Sequence, residues 1–157
     1  MKKILMVCLG NICRSPLAEG ILKHKLREMD LQAIVDSAGI ADYHVGEKPD
    51  KRTMKNALSH GIDLSDLRAR QFKPEDFNRF DLIYAADASI FHALMMMAPD
   101  HEAKKKVKMM TEELFPNQKI DVPDPYYGGE EGFESVYQLI NKSCDAIIEK
   151  HFKTQQS

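Results

Sequence analysis

The fold is decided by the stretch Lys3-Ile4-Leu5-Met6-Val7-Cys8-Leu9-Gly10-Asn11-Ile12-Cys13-Arg14-Ser15-Pro16. Its first five residues form a short, mostly apolar run, as expected for a strand that is covered on both faces. The residues after the turn-like segment show apolar positions at helical spacing, which predicts a helix from Pro16 to about Met29. Pro16 suits the first helical position and Ser15 suits the N-cap. A strand, a tight loop and a helix therefore open the chain.

The rest of the chain continues this alternation of strands and helices. The pattern predicts strands at Ala33–Ser37, Asp81–Ala85 and Lys106–Met110, helices at Asp50–Ser59, Pro74–Phe77 (a short turn), Asp87–Pro99 (N-cap Asp87) and Glu134–Phe152, and a Pro-, Gly- and Asp-rich loop at Phe115–Gly132. Such alternation implies parallel βαβ units, with a central sheet and helices on both faces, so the predicted fold class is α/β. Ligands bind beyond the carboxyl ends of the strands in these folds, and Cys8 directly follows the first strand.

The composition is that of one globular domain. The chain has 157 residues, of which 43% are hydrophobic and 29% charged, and its net charge of -2 does not favour binding to nucleic acid or to an anionic membrane. The opening apolar run is too short for a signal peptide, so we expect a cytoplasmic protein. Three cysteines, an odd number, argue against a secreted disulfide framework. Because no His, Cys and carboxylate residues cluster at metal-ligand spacing, neither a metal nor another cofactor is expected.

Cys8 and Arg14 lie six positions apart in the loop between the first strand and the first helix. A loop of this length can turn its backbone N–H groups inward as an anion nest, and the helix N-terminus adds positive potential. Gly10 and Asn11 tolerate the positive φ angles that such a loop needs. Arg14 can bind two phosphate oxygens, and the positive field stabilises a Cys8 thiolate, to which Ser15 can donate a hydrogen bond. A nucleophile beside a phosphate cradle indicates phosphoryl transfer through a cysteinyl-phosphate.

Taken alone, these residue patterns leave alternatives open. A cysteine followed by an arginine is a weak pattern, and a small buried cysteine at a strand end is common. A nucleotide-binding loop is disfavoured because the Gly-Lys-Ser/Thr ending is missing. A phenolate leaves poorly without a proton, which calls for a carboxylic acid such as Asp124, held between Pro123 and Pro125. Pro-Asp-Pro is also what an ordinary turn contains, and the residues alone favour the turn.

The segment Cys8–Pro16 resembles the active-site signature of the low-molecular-weight protein tyrosine phosphatases. The similarity continues in order through Ala18-Glu19, Asp36-Ser37-Ala38, Tyr43, Pro49-Asp50, His60-Gly61, Phe80-Asp81 and Asp124-Pro125-Tyr126-Tyr127. It implies one phosphatase domain over residues 1–157, a three-layer sandwich around a four-stranded parallel sheet. It also implies that Cys8 is the nucleophile, Arg14 the phosphate-binding arginine and Asp124 the general acid and base. The remaining residues of the phosphate-binding loop would be Leu9, Gly10, Asn11, Ile12, Cys13 and Ser15.

The resemblance also assigns roles to residues that support this loop. Asn11, Ser37 and His60 match positions that in the family hydrogen-bond to one another and hold the loop in its strained shape. By its position alone, His60 is a residue at a helix C-terminus, where the dipole favours it. Cys13 is five residues from Cys8 in a curled loop, so the two sulfurs can come within disulfide range and Cys13 can act as a redox partner. A small packed residue is the other interpretation of Cys13.

Aromatic residues are the candidates for the walls of a substrate slot. The rings of Tyr126 and Tyr127 can form one wall that stacks on a phenyl ring, although tyrosines are also common on surfaces. Tyr43 and His44 lie where related enzymes form the opposite wall. A deep slot selects phosphotyrosine over phosphoserine, because only the longer aromatic side chain reaches the phosphate cradle.

Three other functions compete with this interpretation. Arsenate reductases share the fold and the loop but need further downstream cysteines, and here the only later one, Cys144, falls on the apolar face of the last helix. Protein-arginine phosphatases tend to carry threonine at the position of Ile12 and phenylalanine at that of Tyr126. A redox sensor or phosphopeptide-binding module would use the Cys8/Cys13 pair but needs no proton donor. The expected partners are phosphotyrosine-containing proteins or peptides, with inorganic phosphate as product, and the enzyme is expected to be a monomer.

Overall fold

The computed structural model of the protein describes residues 1–126 and 129–152. In chain order its elements are β1 (Lys2–Cys8), α1 (Arg14–Glu28), β2 (Ala33–Gly39), α2 (Lys51–Ser59), α3 (Asp76–Arg79), β3 (Leu82–Ala85), α4 (Ala88–Met97), α5 (His101–Lys105), β4 (Val107–Met109) and α6 (Glu130–His151). The strands form one sheet in the order β2-β1-β3-β4, and every neighbouring pair is parallel. This arrangement confirms the predicted α/β class with its four-stranded parallel sheet.

The central strand β1 contributes to two cores, because its side chains alternate between the faces of the sheet. Ile4 and Met6 pack in a cluster with α1 and α6, whereas Leu5 and Val7 pack in a second cluster with α3, α4 and α5. All four side chains have no solvent exposure. The mostly apolar run at the start of the sequence is therefore explained by burial on both faces, and helices cover each face as predicted for a three-layer sandwich.

The start of α1 differs from the prediction. The helix begins at Arg14, two residues before Pro16, and its N-cap is Cys13, which makes no side-chain capping hydrogen bond. Ser15 lies inside the first turn, and its hydroxyl is 2.9 Å from the Cys8 sulfur. The prediction that Ser15 is the N-cap is therefore wrong, because this side chain serves the preceding loop rather than the helix end.

The other helix boundaries follow from local capping. Asp87 caps α4 as predicted, since its carboxylate accepts a hydrogen bond from the Ile90 amide at 2.9 Å. Asp100 caps the short helix α5, which the sequence pattern did not predict, through the Ala103 amide at 2.9 Å. The last helix begins at Glu130, four residues earlier than predicted, after an extended Gly129.

Within residues 1–126 and 129–152, no helix is both long enough and apolar enough to span a membrane.

The sheet presents the carboxyl ends of β1, β2 and β3 at one edge, where Cys8 pairs with Gly39 and Val7 pairs with Ala85. The loops that leave these strands build the candidate site.

Candidate active site

The phosphate loop, residues 8–15, lies at the carboxyl end of β1 and is held against the loop that follows β2. The amide of Ile40 donates to the Cys8 carbonyl at 3.0 Å, and the amide of Ala41 donates to the Leu9 carbonyl at 2.9 Å. A side chain at Gly39 would place its Cβ only 2.8 Å from the Leu9 carbonyl oxygen. Gly39 is therefore required for this close approach, a role that the sequence pattern did not reveal.

Asn11 fixes the shape of the phosphate loop from within. Its backbone has a φ of 58°, in the left-handed region where asparagine is one of the few tolerated residues, and the residue is only 2% exposed. Its side-chain amide donates to the Ser15 hydroxyl at 2.8 Å and to the Ser37 hydroxyl at 3.0 Å. Its carbonyl oxygen accepts a hydrogen bond from the Arg70 amide at 2.9 Å. The structure thus brings Asn11 and Ser37 together as predicted, and Asn11 ties the strained loop to two other segments, β2 and the segment around Arg70.

The third residue expected in this network lies elsewhere. His60 contacts Glu134, with 2.9 Å between its Nε2 and the carboxylate, and stacks on the ring of Tyr137 at 3.7 Å. The prediction that His60 joins Asn11 and Ser37 is wrong, because the end of α2 packs against α6 rather than against the phosphate loop.

Glu19 takes the place in the network that was expected of His60. Its carboxylate accepts a hydrogen bond from the Ser37 hydroxyl at 2.6 Å and is paired with Lys23 at 2.5 Å. The residue is only 3% exposed, so this carboxylate is a buried one that has both a hydrogen-bond donor and a counter-ion. A sequence signal existed, since Glu19 follows Ser15 by one helical turn and so lies on the same face of α1.

The Cys8 sulfur is buried at the centre of the loop, and the residue is 3% exposed. The Ser15 hydroxyl oxygen lies 2.9 Å away. The same oxygen accepts a hydrogen bond from Asn11 at 2.8 Å and lies 3.5 Å from the Ala38 carbonyl oxygen. Its hydrogen can thus be donated to the nearer Cys8 sulfur or to that carbonyl.

Arg14 is held in place by two acceptors. Its Nη1 donates to the Asp87 carboxylate at 2.6 Å and to the Val122 carbonyl at 2.9 Å. Burial opposes the charged form of the guanidinium, but the negative charges of Cys8 and Asp87 outweigh it and raise the pKa of Arg14 further. The sequence predicts only helix capping for Asp87. In the structure one of its carboxylate oxygens caps α4, and the other accepts the hydrogen bond that orients Arg14.

Asp124 lies above the phosphate loop on the acid loop, residues 121–126. Its side chain is 43% exposed, and one carboxylate oxygen is 3.9 Å from Nη2 of Arg14. The other oxygen accepts a hydrogen bond from the Tyr126 amide at 3.0 Å. Asp124 therefore faces both the phosphate loop and the solvent.

Ten of the predicted site residues border one cleft of about 210 Å³. They are Cys8, Leu9, Gly10, Ile12, Cys13, Arg14, Tyr43, His44, Asp124 and Tyr126. The cleft thus brings Tyr43 and His44 together with Tyr126 around Cys8. The predicted wall residue Tyr127 lies outside the described residues.

Cys13 and Cys144 differ from Cys8 in their surroundings. Cys13 packs in a small apolar cluster with Ile12, Ala69 and Phe133, and burial raises the pKa of its thiol to about 12. Burial likewise raises the pKa of the Cys144 thiol in α6 to about 12. Both thiols are therefore protonated at neutral pH, which makes them poor nucleophiles.

The site combines a cysteine and an arginine in one loop at a helix N-terminus with an accessible carboxylate above them. This combination is typical of a phosphate monoester hydrolase. Comparison with known sequences agrees. The family described as "Low molecular weight phosphotyrosine protein phosphatase" matches residues 3–157. A Synechocystis protein named as a low molecular weight protein-tyrosine-phosphatase is 43% identical over 148 residues, which cover 93% of this chain and 94% of that protein.

Solved structures agree in fold. A protein tyrosine phosphatase from Entamoeba histolytica, crystallised with Hepes in its active site, superposes with a TM-score of 0.92 at 36% identity and covers 99% of both chains. The structure of YfkJ from Bacillus subtilis gives a TM-score of 0.91 at 36% identity, covering 99% of this chain and 98% of that one. This chain belongs to the low molecular weight phosphotyrosine protein phosphatase family and is an enzyme of that class.

Proposed function

We propose that this enzyme hydrolyses phosphotyrosine in proteins or peptides, and small aryl phosphates, through a cysteinyl-phosphate intermediate. The observation that carries this proposal is the 2.9 Å contact between the Cys8 sulfur and the Ser15 hydroxyl, beside the buried guanidinium of Arg14. A hydrogen-bond donor and a fixed positive charge around a cysteine stabilise the thiolate that attacks phosphorus.

In the first step the Cys8 thiolate attacks phosphorus, so that a sulfur–phosphorus bond forms while the bond to the tyrosine oxygen breaks. Arg14 and the backbone N–H groups of the phosphate loop bind the three other phosphate oxygens and stabilise their charge in the transition state. Asp124 donates its proton to the departing phenolic oxygen, which leaves as neutral tyrosine.

In the second step water hydrolyses the cysteinyl-phosphate. The Asp124 carboxylate takes a proton from the water as its oxygen attacks phosphorus, and the sulfur–phosphorus bond breaks to release inorganic phosphate. The electron pair returns to sulfur, where the hydrogen bond from Ser15 stabilises the thiolate again. Both the nucleophile and the protonated acid are then regenerated.

The borders of the cleft provide the substrate preference. Tyr43 and Tyr126 lie at its rim, 71% and 37% exposed, and can flank an aromatic ring whose phosphate reaches Cys8. A phosphoserine side chain has no ring that these tyrosines could flank. A protein-arginine phosphatase is the alternative, and Ile12 and Tyr126 differ from the residues that such enzymes tend to carry. A non-catalytic redox or binding module would not require Asp124 at the cleft.

The proposed enzyme is a single domain over residues 1–157 that acts as a cytoplasmic monomer without a metal or other cofactor. Its products are the dephosphorylated protein and inorganic phosphate. Cys8, Arg14 and Asp124, which carry the two steps, line one cleft of a single chain.

Hydrolysis of phosphotyrosine, phosphoserine and phosphoarginine peptides by wild type and Cys8→Ser, in a metal chelator and reductant, tests this proposal. We expect turnover of phosphotyrosine alone, reduced at least about 10⁴-fold in Cys8→Ser because the nucleophile is lost. A preference for phosphoarginine would preserve the loop chemistry but overturn the substrate. No turnover of any peptide would favour a binding or redox module.

A further inference from the structure

Arg52 connects the substrate cleft to two helices. It lies in the first turn of α2, and its guanidinium carbon is 5.2 Å from the ring centroid of Tyr126 and 4.8 Å from that of Phe133. Tyr126 belongs to the acid loop and borders the cleft, whereas Phe133 belongs to α6. A guanidinium within about 6 Å of a ring centroid is attracted to the face of that ring. One side chain therefore contacts both rings.

The position of Arg52 is fixed by Asp50. The carboxylate of Asp50 accepts hydrogen bonds from Nε of Arg52 at 3.1 Å and from Nη2 at 3.0 Å, a two-pronged pair that only the planar guanidinium can make. Burial favours the neutral carboxylic acid, but the hydrogen bonds from the Arg52 side chain and amide outweigh it and hold the pKa of Asp50 below its ordinary value. The Asp50 side chain is only 11% exposed.

This anchor is attached to the phosphate loop. The backbone amide of Asp50 donates to the carbonyl of Ile12 at 2.8 Å. Phe133, the second ring beneath Arg52, packs in the same apolar cluster as Ile12 and Cys13. Arg52 is thus held in a fixed relation to the phosphate loop both through Asp50 and through Phe133.

The other side of Arg52 leads to the proton donor. Tyr126, whose ring lies beside the guanidinium, donates its backbone amide to the Asp124 carboxylate at 3.0 Å. Only Pro125 separates these two residues. Tyr126 therefore contacts Arg52 through its ring and the Asp124 carboxyl through its backbone amide.

We infer that Arg52 is a positioning residue, which holds Tyr126, and through it the Asp124 carboxyl, in register with the phosphate loop. This inference rests on the proposed roles of Asp124 as general acid and Tyr126 as slot wall. Arg52 is not among the residues that line the cleft around Cys8, so its effect should be on proton transfer and on the aromatic ring of the substrate rather than on phosphate binding.

The inference is tested with Arg52→Lys and Arg52→Gln, beside Asp124→Asn and a matched control. Arg79 provides that control, because its guanidinium also lies over an aromatic ring, that of Phe80 at 5.7 Å, yet Phe80, unlike Tyr126, does not line the cleft. For each variant, kcat and KM are measured with aryl phosphates whose leaving groups range from p-nitrophenolate to the more basic tyrosine phenolate. The inhibition constant of inorganic phosphate reports on the phosphate loop, and thermal unfolding reports on folding.

We expect Arg52→Gln to lower kcat/KM about 10-fold for phosphotyrosine and less than about threefold for p-nitrophenyl phosphate, because a displaced acid matters most for a basic leaving group. Arg52→Lys should resemble Arg52→Gln, because lysine keeps the charge but cannot form the planar fork and stack. The phosphate inhibition constant should change less than about twofold in both variants, and Arg79→Gln should behave as wild type.

Three results would overturn the positioning role of Arg52. If Arg52→Lys retained full activity while Arg52→Gln lost it equally for all leaving groups, the residue would act only through its charge. If neither variant changed the leaving-group dependence while Asp124→Asn did, the role of Arg52 would fail and the proposed function would stand. If Asp124→Asn were itself indifferent to the leaving group, the proposed acid and the inference would both be wrong.

Discussion

The phosphate loop and the acid loop border the same cleft but are built in opposite ways. Cys8, Asn11 and Arg14 of the phosphate loop are each no more than 3% exposed and are tied to β2, α4 and the segment around Arg70 by hydrogen bonds. In the acid loop the Asp124 side chain is 43% exposed. A buried, cross-linked loop keeps its charges in place before substrate binds, whereas an exposed carboxyl can exchange protons with water.

In the proposed reaction the two loops perform different tasks. Binding and stabilising a phosphate dianion depends on groups that do not reorganise, while donating and recovering a proton depends on access to solvent. Changes within the phosphate loop should therefore reduce both stability and activity, and changes at Asp124 should reduce activity alone.

The largest expected effect concerns the three thiols. Because burial raises the pKa of both Cys13 and Cys144 to about 12, only about one molecule in 10⁵ carries either thiolate at pH 7. Iodoacetate at that pH should modify Cys8 alone, and the second label should appear only as the pH rises towards 12. Mass spectrometry of the labelled protein measures this, with Cys8→Ser and phosphate-protected enzyme as controls. Labelling of Cys13 at neutral pH would break the contrast between the buried thiols and the nucleophile.

The second-largest effect is expected when Asp124, the proposed proton donor, is replaced. Asp124→Asn should lower kcat for phosphotyrosine by about 10²- to 10³-fold, and less for p-nitrophenyl phosphate, with little change in thermal stability. Asp121→Asn is the matched control, since Asp121 lies in the same loop but accepts a hydrogen bond from the Ala88 amide at 2.8 Å. Equal losses in the two variants would mean that the loop, not the Asp124 carboxyl, is required.

Asn11→Ala tests the rigidity of the phosphate loop. The change removes hydrogen bonds to Ser15, Ser37 and the Arg70 amide and leaves alanine at a φ of 58°, so we expect a loss of about 3 kcal/mol in the free energy of unfolding. Asn117→Ala is the control, because Asn117 has a similar φ of 64° on an exposed turn. Asn11→Ala should unfold at a lower urea concentration than wild type, and inorganic phosphate should inhibit it less strongly. A stable Asn11→Ala with unchanged phosphate affinity would show that the network does not shape the loop.

The smallest effect lies outside both loops, at Glu134. Hydrogen bonds from His60, and then from Gln138 and Asn56, lower the pKa of this carboxyl to about 2. A lowered pKa stabilises the fold above the ordinary pKa of about 4.5, and this contribution disappears as the pH falls through about 2. Because the side chain is 44% exposed, Glu134→Gln should cost less than about 1 kcal/mol at pH 7.

Stability measured between pH 7 and pH 2, together with the phosphate inhibition constant at pH 7, checks this expectation. The difference between wild type and Glu134→Gln should shrink as the pH falls, and the inhibition constant should not change. A weaker phosphate affinity in Glu134→Gln would connect His60 to the phosphate loop after all.

How much the sequence could predict follows from how local each signal is. The sequence correctly predicted features that depend on neighbouring residues: the strand before Cys8, the loop that follows it and the capping of α4. The exception is the N-cap of α1, which is Cys13 and not Ser15. The Asn11–Ser37 contact was expected only through a family resemblance, because residues 26 positions apart carry no local signal.

The errors arise where tertiary packing decides. Position in the sequence could not show that His60 stacks on Tyr137 of α6. Helical spacing places Glu19 on the same face of α1 as Ser15, but the burial of Glu19 beside Ser37 depends on how α1 packs against β2. Likewise, the need for glycine at position 39 comes from the approach of the Leu9 carbonyl, a contact between two loops. The stack of Arg52 on Tyr126 and Phe133 joins three separate segments and left no pattern to read.

The most direct test of the account is to look for phosphate on Cys8 during turnover. Wild type and Asp124→Asn are quenched in denaturant while hydrolysing p-nitrophenyl phosphate, and the peptide that contains Cys8 is analysed by mass spectrometry. We expect a phosphorylated Cys8 in both, with more in Asp124→Asn because hydrolysis of the intermediate also needs the carboxylate. Turnover with no phosphate on Cys8, or with phosphate on another residue, would contradict it.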